Sequence, residues 1–183
     1  MTHVLVLVGS LRAASTNRQI AETAVALAPE GVELTIQEGL GDLPFYNEDV
    51  DVEGSVPQTA LDFRAALTAA DAVLVVTPEH NGTVPAVLKN AIDWASRPYG
   101  ASPLNGKPLV VVGSAFGQFG GVWAQDDARK ALGIAGANVL SDVTFAIPGS
   151  VVRFAQTHPK DDAEVVEKLT SVLDGLVAAT RAA

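Results

Sequence analysis

The sequence of 183 residues contains no cysteine, which excludes disulfide bonds, thiolate metal sites, iron–sulfur clusters and thiol nucleophiles. Its three histidines, His3, His80 and His158, are too scattered to predict a zinc site. Aromatic residues make up only 5% of the chain, so the core must be built from aliphatic side chains. Any redox chemistry therefore requires a bound organic cofactor.

Charged residues are also scarce, at 18%, and acidic residues outnumber basic ones by 21 to 12, which gives a net charge of −9. A nucleic-acid-binding protein needs a clustered basic face, so this composition argues against such a partner. No apolar run approaches the roughly 20 residues that cross a bilayer, and the apolar run over residues 4–8 is too short for a signal peptide. We therefore expect a cytoplasmic protein without a membrane partner, folded as one domain over residues 1–183.

Short aliphatic runs alternate with helical patterns along the chain. Strands are predicted over residues 4–8, 32–37, 72–77, 108–113 and 139–147, the last with an interruption at Ser141 and Asp142. Helices are predicted after Asn17 and over residues 60–67, 87–94, 123–132 and 163–179. This alternation predicts an α/β fold, a flavodoxin-like doubly wound parallel sheet of five strands in the order 2-1-3-4-5 with helices on both faces. Ligands then bind at the carboxyl ends of the strands, so the loops after strands 1, 3 and 4 are the candidate site.

The loop after the first strand concentrates polar residues at the start of a helix. Backbone N–H groups and the helix dipole favour an anion there. Phosphate oxygens would accept from Ser10, Ser15, Thr16 and Asn17, and Arg12 would add a positive charge. The alternative is a simple helix cap, although a cap needs only one such residue. The glycine-spaced dinucleotide fingerprint is absent, so a terminal monophosphate fits this loop best.

The loop after the third strand is stiffened at both ends by Pro78 and Pro85, and Gly82 permits a positive φ. A rigid backbone of this kind suits a flat ring with heteroatoms at its edge, which His80 and Asn81 could contact. An ordinary turn before a capped helix is the alternative.

Together these motifs resemble the NAD(P)H-dependent FMN reductase family, the flavodoxin-like group that includes quinone, azo-dye and chromate reductases. Three stretches carry the resemblance: Gly9-Ser10-Leu11-Arg12 with Ser15 and Asn17; Pro78-Glu79-His80-Asn81 with Pro85 and residues 88–98; and Ser114 with Gly117, Gly120 and Gly121. The resemblance implies that the FMN phosphate is held by Ser10, Leu11, Arg12, Ser15, Thr16 and Asn17. It also implies that the flavin ring is lined by Pro78, Glu79, His80, Asn81 and Gly82, and closed on its other side by Ser114, Gly117, Gly120 and Gly121.

Two residues depart from the pattern of the family. His80 stands where the family usually has tyrosine, and an imidazole can still stack and hydrogen-bond, although its charge varies near neutral pH. Trp123 stands where many relatives carry arginine, which weakens any transfer of the family's nicotinamide preference or subunit contacts to this position.

The resemblance implies a ping-pong oxidoreductase in which NADPH or NADH passes a hydride to bound FMN, and a quinone, azo, flavin or chromate-type acceptor is then reduced. No catalytic acid or base is obligatory, and His80 is the candidate proton donor. The alternative is a flavodoxin-like electron carrier or flavin-binding sensor without nicotinamide turnover. A homodimer or homotetramer is also implied, with Trp94, Tyr99 and Trp123 as candidate interface residues.

Two groups of charged residues have structural interpretations. The acidic residues Glu48, Asp49, Asp51 and Glu53 form no metal-binding loop pattern and are interpreted as a solvated loop rim. Asp93 is expected to pair with Lys89 one helical turn earlier.

Overall fold

The computed structural model describes residues 1–182. Its strands are β1 (Thr2–Val8), β2 (Val32–Ile36), β3 (Ala72–Thr77), β4 (Pro108–Ser114), β5 (Asn138–Val139) and β6 (Phe145–Ile147). Its α-helices are α1 (Thr16–Ala26), α2 (Gln58–Ala69), α3 (Ala86–Ala95), α4 (Val122–Ile134), α5 (Ser150–Arg153) and α6 (Ala163–Ala182). Short 3₁₀ turns lie at Leu40–Asp42, Glu48–Val50 and Pro159–Asp161.

The strands form a parallel sheet in the order β2-β1-β3-β4-β5, with β6 also paired to β4. This confirms the predicted order 2-1-3-4-5. All residues of β3 and β4 are buried, because helices cover both faces of the sheet. The loops after β1, β3 and β4 therefore emerge side by side at one edge of the sheet.

The fifth position of the sheet differs from the prediction of one strand. Two short strands, β5 and β6, occupy successive parts of the same edge of β4: Leu109 pairs with Val139, and Val112 pairs with Phe145. The predicted interruption at Ser141 and Asp142 lies between them, where both residues are exposed. A turn closed by the Val143 N–H and the Leu140 carbonyl, at 3.1 Å, takes the chain out of the sheet between the two strands.

Alternate residues of β1 face two different hydrophobic layers. Leu5 and Leu7 pack in the layer that includes α2, α3 and α4, whereas Val4 and Val6 pack in the layer that includes α1 and α6. The five predicted helices are all present, and the short α5 is an addition that the sequence pattern did not indicate. The longest helix, α6, carries charges along its length, and across residues 1–182 no helix is both long and apolar enough to cross a membrane.

Trp94 belongs to the core rather than to the protein surface. Its side chain is fully buried among α2, α3 and the neighbouring loops, and its Nε1 donates to the Pro44 carbonyl at 2.7 Å. The prediction that Trp94 lies in a subunit interface is therefore wrong. A tryptophan on one face of a helix fits either location, and only the packing decides between them.

Candidate functional site

A cavity of about 540 Å³ opens at the carboxyl ends of β1, β3 and β4. This volume lies within the range of typical cofactor sites. Ten of the predicted site residues line it: Ser10, Leu11, Arg12, Ser15, Thr16, Asn17, Pro78, Glu79, His80 and Ser114. The prediction that the loops after three strands form one site is consistent with this cavity.

The loop after β1 leads into the N-terminus of α1. Ser15 caps the helix, since its Oγ accepts from the Arg18 N–H at 3.3 Å. The next two N–H groups, of Thr16 and Asn17, have no acceptor within residues 1–182. Free N–H groups at a helix N-terminus favour a phosphate or another anion.

The Asn17 side chain has a structural partner. Its Oδ1 accepts from the Ser114 N–H at 2.9 Å, and its Nδ2 donates to the Ser114 carbonyl at 3.1 Å. Both ends of the amide thus join the start of α1 to the end of β4. What Asn17 offers to an anion in the cavity is its backbone N–H.

The two arginines near this loop differ in their partners. Arg18 pairs with Glu22 at 2.9 Å and with Glu38 at 2.6 Å, and its guanidinium holds the pKa of Glu38 below the usual value. Arg12 is exposed, lines the cavity, and has no carboxylate partner within the described chain. Arg12 is therefore the side-chain cation that remains available to a ligand here.

The loop after β3 is a tight β-hairpin. His80 and Thr83 exchange two backbone hydrogen bonds, both of 3.1 Å. Between them Asn81 and Gly82 both have positive φ, at 53° and 74°, as a type I′ turn requires. His80 lines the cavity, whereas Asn81 and Gly82 lie at the exposed tip and do not.

The Glu79 carboxylate contacts a neighbouring helix. Its Oε2 accepts from the backbone N–H of Ala124, in the first turn of α4, at 3.1 Å. Glu79 also lines the cavity, so it stands between the loop after β3 and α4.

Ser114, at the end of β4, supplies an unsatisfied polar atom. The residue is almost completely buried, and its Oγ has no hydrogen-bond partner within residues 1–182. A buried hydroxyl in this state is costly, and Ser114 lines the cavity, where a ligand atom could pair with it. Gly113 precedes it at a close approach of two strands, since a Cβ there would lie 1.9 Å from the Thr77 carbonyl oxygen.

The predicted glycines after β4 do not line the cavity: Gly117, Gly120 and Gly121. They form the turn between β4 and α4, and a Cβ on Gly120 would lie 2.7 Å from the backbone N of Ile147. Close packing against β6 therefore requires glycine at Gly120, whereas Gly121 has a positive φ of 81° and Gly117 has no neighbour at its Cβ position.

Gly9 and Pro85 belong to the motifs that carry the resemblance but were not assigned a contact with the ligand. With six residues outside those assignments they complete the lining: Gly9, Pro85, Ala86, Val87, Ala115, Phe116, Ser150 and Val151. Most of them adjoin predicted residues in the same loops. Ser150 and Val151 come instead from α5, which follows the fifth position of the sheet. The rule that ligands bind at the carboxyl ends of strands applies to that loop too, so extending it to the last strand would have found them.

Exposed apolar side chains lie in the turn before α4, in α4 and in α5, and two of them, Phe116 and Val151, line the cavity. We call them the apolar rim: Phe116, Phe119, Trp123, Val151 and Val152, each between 54% and 77% exposed. The rings of Phe119 and Trp123 pack together, with centroids 5.5 Å apart. Tyr99, the other predicted interface residue, is also highly exposed but follows the far end of α3.

The acidic loop before α2 is only partly the solvated rim that the sequence suggested. Asp51 is mostly buried and forms two hydrogen bonds with Arg64, of 2.8 and 2.9 Å, which hold the pKa of Asp51 below its usual value. The expected Lys89–Asp93 pair is present at 2.7 Å. Across residues 1–182, no three His, Asp or Glu side chains are grouped in a way that could hold a metal ion.

Comparison with known proteins gives consistent matches. Residues 2–151 match the model of the family described as NADPH-dependent FMN reductase. A quinone reductase of Pseudomonas putida is 50% identical over 129 residues, 70% of this chain and 68% of that protein. A 2-hydroxy-1,4-benzoquinone reductase of a Burkholderia species is 42% identical over 126 residues, 69% of this chain and 67% of that protein.

Among solved structures, the flavoenzyme FerB of Paracoccus denitrificans, an NAD(P)H:(acceptor) oxidoreductase, superimposes with a TM-score of 0.88 at 32% identity. The match covers 100% of this chain and 98% of that one. The similarity therefore extends over the whole sheet and both helical layers.

Proposed function

Because the chain belongs to the NADPH-dependent FMN reductase family and is therefore an oxidoreductase, we propose that its cavity binds FMN and that it reduces a quinone-class acceptor with NADH or NADPH. One observation carries the assignment of the site. The cavity combines free N–H groups of Thr16 and Asn17, and the cation of Arg12, with the unsatisfied hydroxyl of Ser114. The quinone class is supported by the names of the similar reductases of Pseudomonas and Burkholderia.

The phosphate of FMN fits the loop after β1. The N-terminus of α1 offers two N–H donors and the positive end of the helix dipole, and Ser10 and Thr16 add hydroxyl donors. Arg12 compensates the remaining negative charge. The Ser15 hydroxyl accepts from the Arg18 N–H and keeps its own O–H free to donate to the phosphate. The Asn17 side chain acts indirectly, because it joins the loops.

The ring of FMN fits between the loop after β3 and the loop after β4. Pro78 and Pro85 contribute stiff apolar surface to the cavity, and Phe116 with Val151 add apolar surface from the segments after β4 and β6. Ser114 Oγ supplies a hydrogen-bonding group whose burial suits a ligand heteroatom.

When bound, FMN supplies the redox chemistry, accepting two electrons from the nicotinamide and delivering them to the acceptor. The open mouth of the cavity supports alternating use of one space by the nicotinamide and the acceptor, as in a ping-pong reaction. His80 lines this space and is exposed to solvent, so it can donate a proton to a reduced acceptor and be reprotonated from water. The apolar rim suits a flat, uncharged acceptor.

This proposal includes a homo-oligomer, either a dimer or a tetramer, formed through the apolar rim. Five exposed apolar side chains in these neighbouring segments, two of them with packed rings, are typical of an association site. It also includes a single domain and a cytoplasmic location, where reduced nicotinamide nucleotides are available.

The test is anaerobic. FMN is titrated into the purified apoprotein, and NADH or NADPH is then added while the visible absorption of the flavin is followed. We expect saturable FMN binding and rapid bleaching by at least one nucleotide. Arg12→Ala should raise the FMN Kd about tenfold, through loss of one charge-assisted interaction of roughly 1.5 kcal/mol.

The matched control is Arg181→Ala, which removes an exposed arginine from the last turn of α6. It should leave the FMN Kd unchanged. Tight FMN binding without bleaching would contradict the reductase and favour an electron carrier or sensor. Equal FMN affinity in wild type and Arg12→Ala would contradict the phosphate assignment.

A further inference from the structure

The hairpin after β3 is attached to α4 by two side-chain hydrogen bonds. Glu79 Oε2 accepts from the Ala124 N–H at 3.1 Å, and Thr83 Oγ1 donates to Asp127 Oδ2 at 2.5 Å. We call these four residues the hairpin clamp: Glu79, Thr83, Ala124 and Asp127. The two bonds lie on either side of the turn, so they hold both strands of the hairpin.

Glu79 caps the N-terminus of α4, which has no capping side chain at its own N-cap position. The residue before this helix is Gly121, which has no side chain to cap it. The Glu79 carboxylate accepts from the third residue of the helix and places a negative charge at the positive end of its dipole. The interaction stabilises both partners, because the N-terminus of α4 also compensates the negative charge of Glu79 at the cavity wall.

The hairpin itself is a small rigid unit. Two backbone bonds close it at His80 and Thr83, and its turn occupies positive φ at Asn81 and Gly82. Pro78 and Pro85 connect it to β3 and α3 and limit the rotation of the backbone at both ends. The hairpin clamp adds side-chain hydrogen bonds that fix its orientation relative to α4.

We propose that Glu79 and Thr83 are positioning residues, which fix the hairpin to α4 and thereby hold His80 and the adjoining backbone in place at the ring end of the cavity. This inference rests on the proposed function, because the ring end is assigned from it. In this proposal Glu79 affects the flavin ring through the position of the hairpin and does not contact the ring directly.

The Glu79 variants distinguish the effect of losing the hydrogen-bond acceptor from the effect of losing the negative charge. Glu79→Ala and Thr83→Val each remove one bond of the hairpin clamp, and the double variant removes both. Glu79→Gln keeps an acceptor oxygen for the Ala124 N–H. The matched control is the double variant Glu167→Ala/Thr170→Val, which makes the same substitutions on the exposed face of α6.

The first measurement uses the apoprotein and requires no flavin. Hydrogen–deuterium exchange followed by mass spectrometry reports the amides of the hairpin and of the first turn of α4. We expect exchange there to accelerate about tenfold in Glu79→Ala/Thr83→Val, in proportion to two lost bonds of modest net strength. Glu79→Gln keeps the acceptor but loses the charge at the helix N-terminus, so its exchange should fall between wild type and Glu79→Ala. The α6 control should exchange like wild type.

The second measurement is the FMN Kd, with the visible spectrum of the bound flavin. The double variant should bind FMN roughly tenfold more weakly and show a shifted visible absorption band, whereas Glu79→Gln, which keeps the acceptor, should show a smaller change in both. A merely structural role would lower stability without moving the spectrum. If the double variant fails to fold, Thr83→Val alone provides the same comparison.

Two results would overturn the inference. One is hairpin exchange no faster in the double variant than in the α6 control. The other is faster exchange with an FMN Kd and spectrum identical to wild type, since the hairpin would then not position the ring. Failure of wild type to bind FMN would overturn the proposed function as well, and the titration of wild type identifies that case separately.

Discussion

At the scale of single residues, Asn17 shows how a site can depend on a side chain that does not face the ligand. Its amide makes two buried hydrogen bonds to the backbone of Ser114. These bonds hold the N-terminus of α1 against the end of β4, the two places that contribute the free N–H groups and the unsatisfied hydroxyl of the cavity. The geometry of the phosphate end is therefore tied to the geometry of the ring end.

Asn17→Ala should lower the free energy of unfolding by about 2–4 kcal/mol, because two hydrogen bonds are lost and two buried groups of Ser114 are left unpaired. It should also weaken FMN binding. Urea denaturation at neutral pH measures the first effect. The control is Asn138→Ala, at an exposed position of β5, and an equal loss of stability in both variants would contradict this role.

At the scale of elements, α5 is a helix of only four residues whose position depends on ion pairs. Arg153, at its end, contacts Asp162 at 2.7 Å and Glu164 at 2.8 Å, at the start of α6. Asp162 also caps α6, accepting from the Val165 N–H at 3.2 Å. Together with the Ser150 N–H, which donates to the Ala115 carbonyl at 3.0 Å, these contacts fix α5, whose Ser150 and Val151 line the cavity.

The Arg153 guanidinium holds the pKa of Asp162 below its usual value, so this carboxylate binds a proton less readily in the folded chain than in the unfolded one. The Arg153–Asp162 pair therefore contributes its full stabilisation above the ordinary aspartate pKa of about 3.9. This stabilisation is lost as the pH falls through the lower pKa that Asp162 has in the folded chain. Asp162→Asn keeps a cap but removes the charge. It should cost about 1 kcal/mol at pH 7 and make stability fall less steeply below about pH 5.

Urea denaturation between about pH 3 and pH 7 measures this dependence. Asp161→Asn is the matched control, since Asp161 is the exposed neighbour in the sequence. The control should follow the wild-type profile. If the free energy of unfolding fell equally steeply with decreasing pH in wild type and Asp162→Asn, the Arg153–Asp162 pair would not contribute to stability.

At the scale of the whole molecule, the strand order and the location of the cavity could be predicted because they follow from local patterns. Fully apolar runs identify strands covered on both faces, and the carboxyl ends of parallel strands meet at one edge. The hydrogen bonds of Asn17 with Ser114 and of Glu79 with Ala124 could not be predicted, because they join residues far apart in the chain. Likewise, nothing in the sequence around Asp51 indicated that its carboxylate is mostly buried and paired with Arg64.

Trp94 and Trp123 were both candidate interface residues, although one is buried and the other is more than half exposed. Trp94 shares a helix face with Val87 and Ala91, whereas Trp123 is followed one turn later by Asp126 and Asp127, so the charges already favoured exposure of Trp123. The burial of Trp94 depends in addition on the loop at Pro44, whose carbonyl accepts from its indole.

The exposure of Trp123 leads to a prediction about assembly. A specific interface buries about 800 Å² on each partner, with aromatic side chains at its centre. The apolar rim offers such a centre, whereas single exposed apolar residues elsewhere do not. Light scattering after size exclusion should therefore give wild type at least twice the mass of one chain, and Trp123→Glu should shift the population toward the monomer at micromolar concentrations.

Leu61→Glu provides the comparison, because Leu61 is an exposed apolar residue on α2, away from the apolar rim. It should leave the mass unchanged. Since the rim adjoins the mouth of the cavity, dissociation by Trp123→Glu should also weaken FMN binding at low protein concentration, with recovery as the concentration rises. Wild type that stays monomeric across the micromolar range would exclude the rim as an interface between copies of this chain.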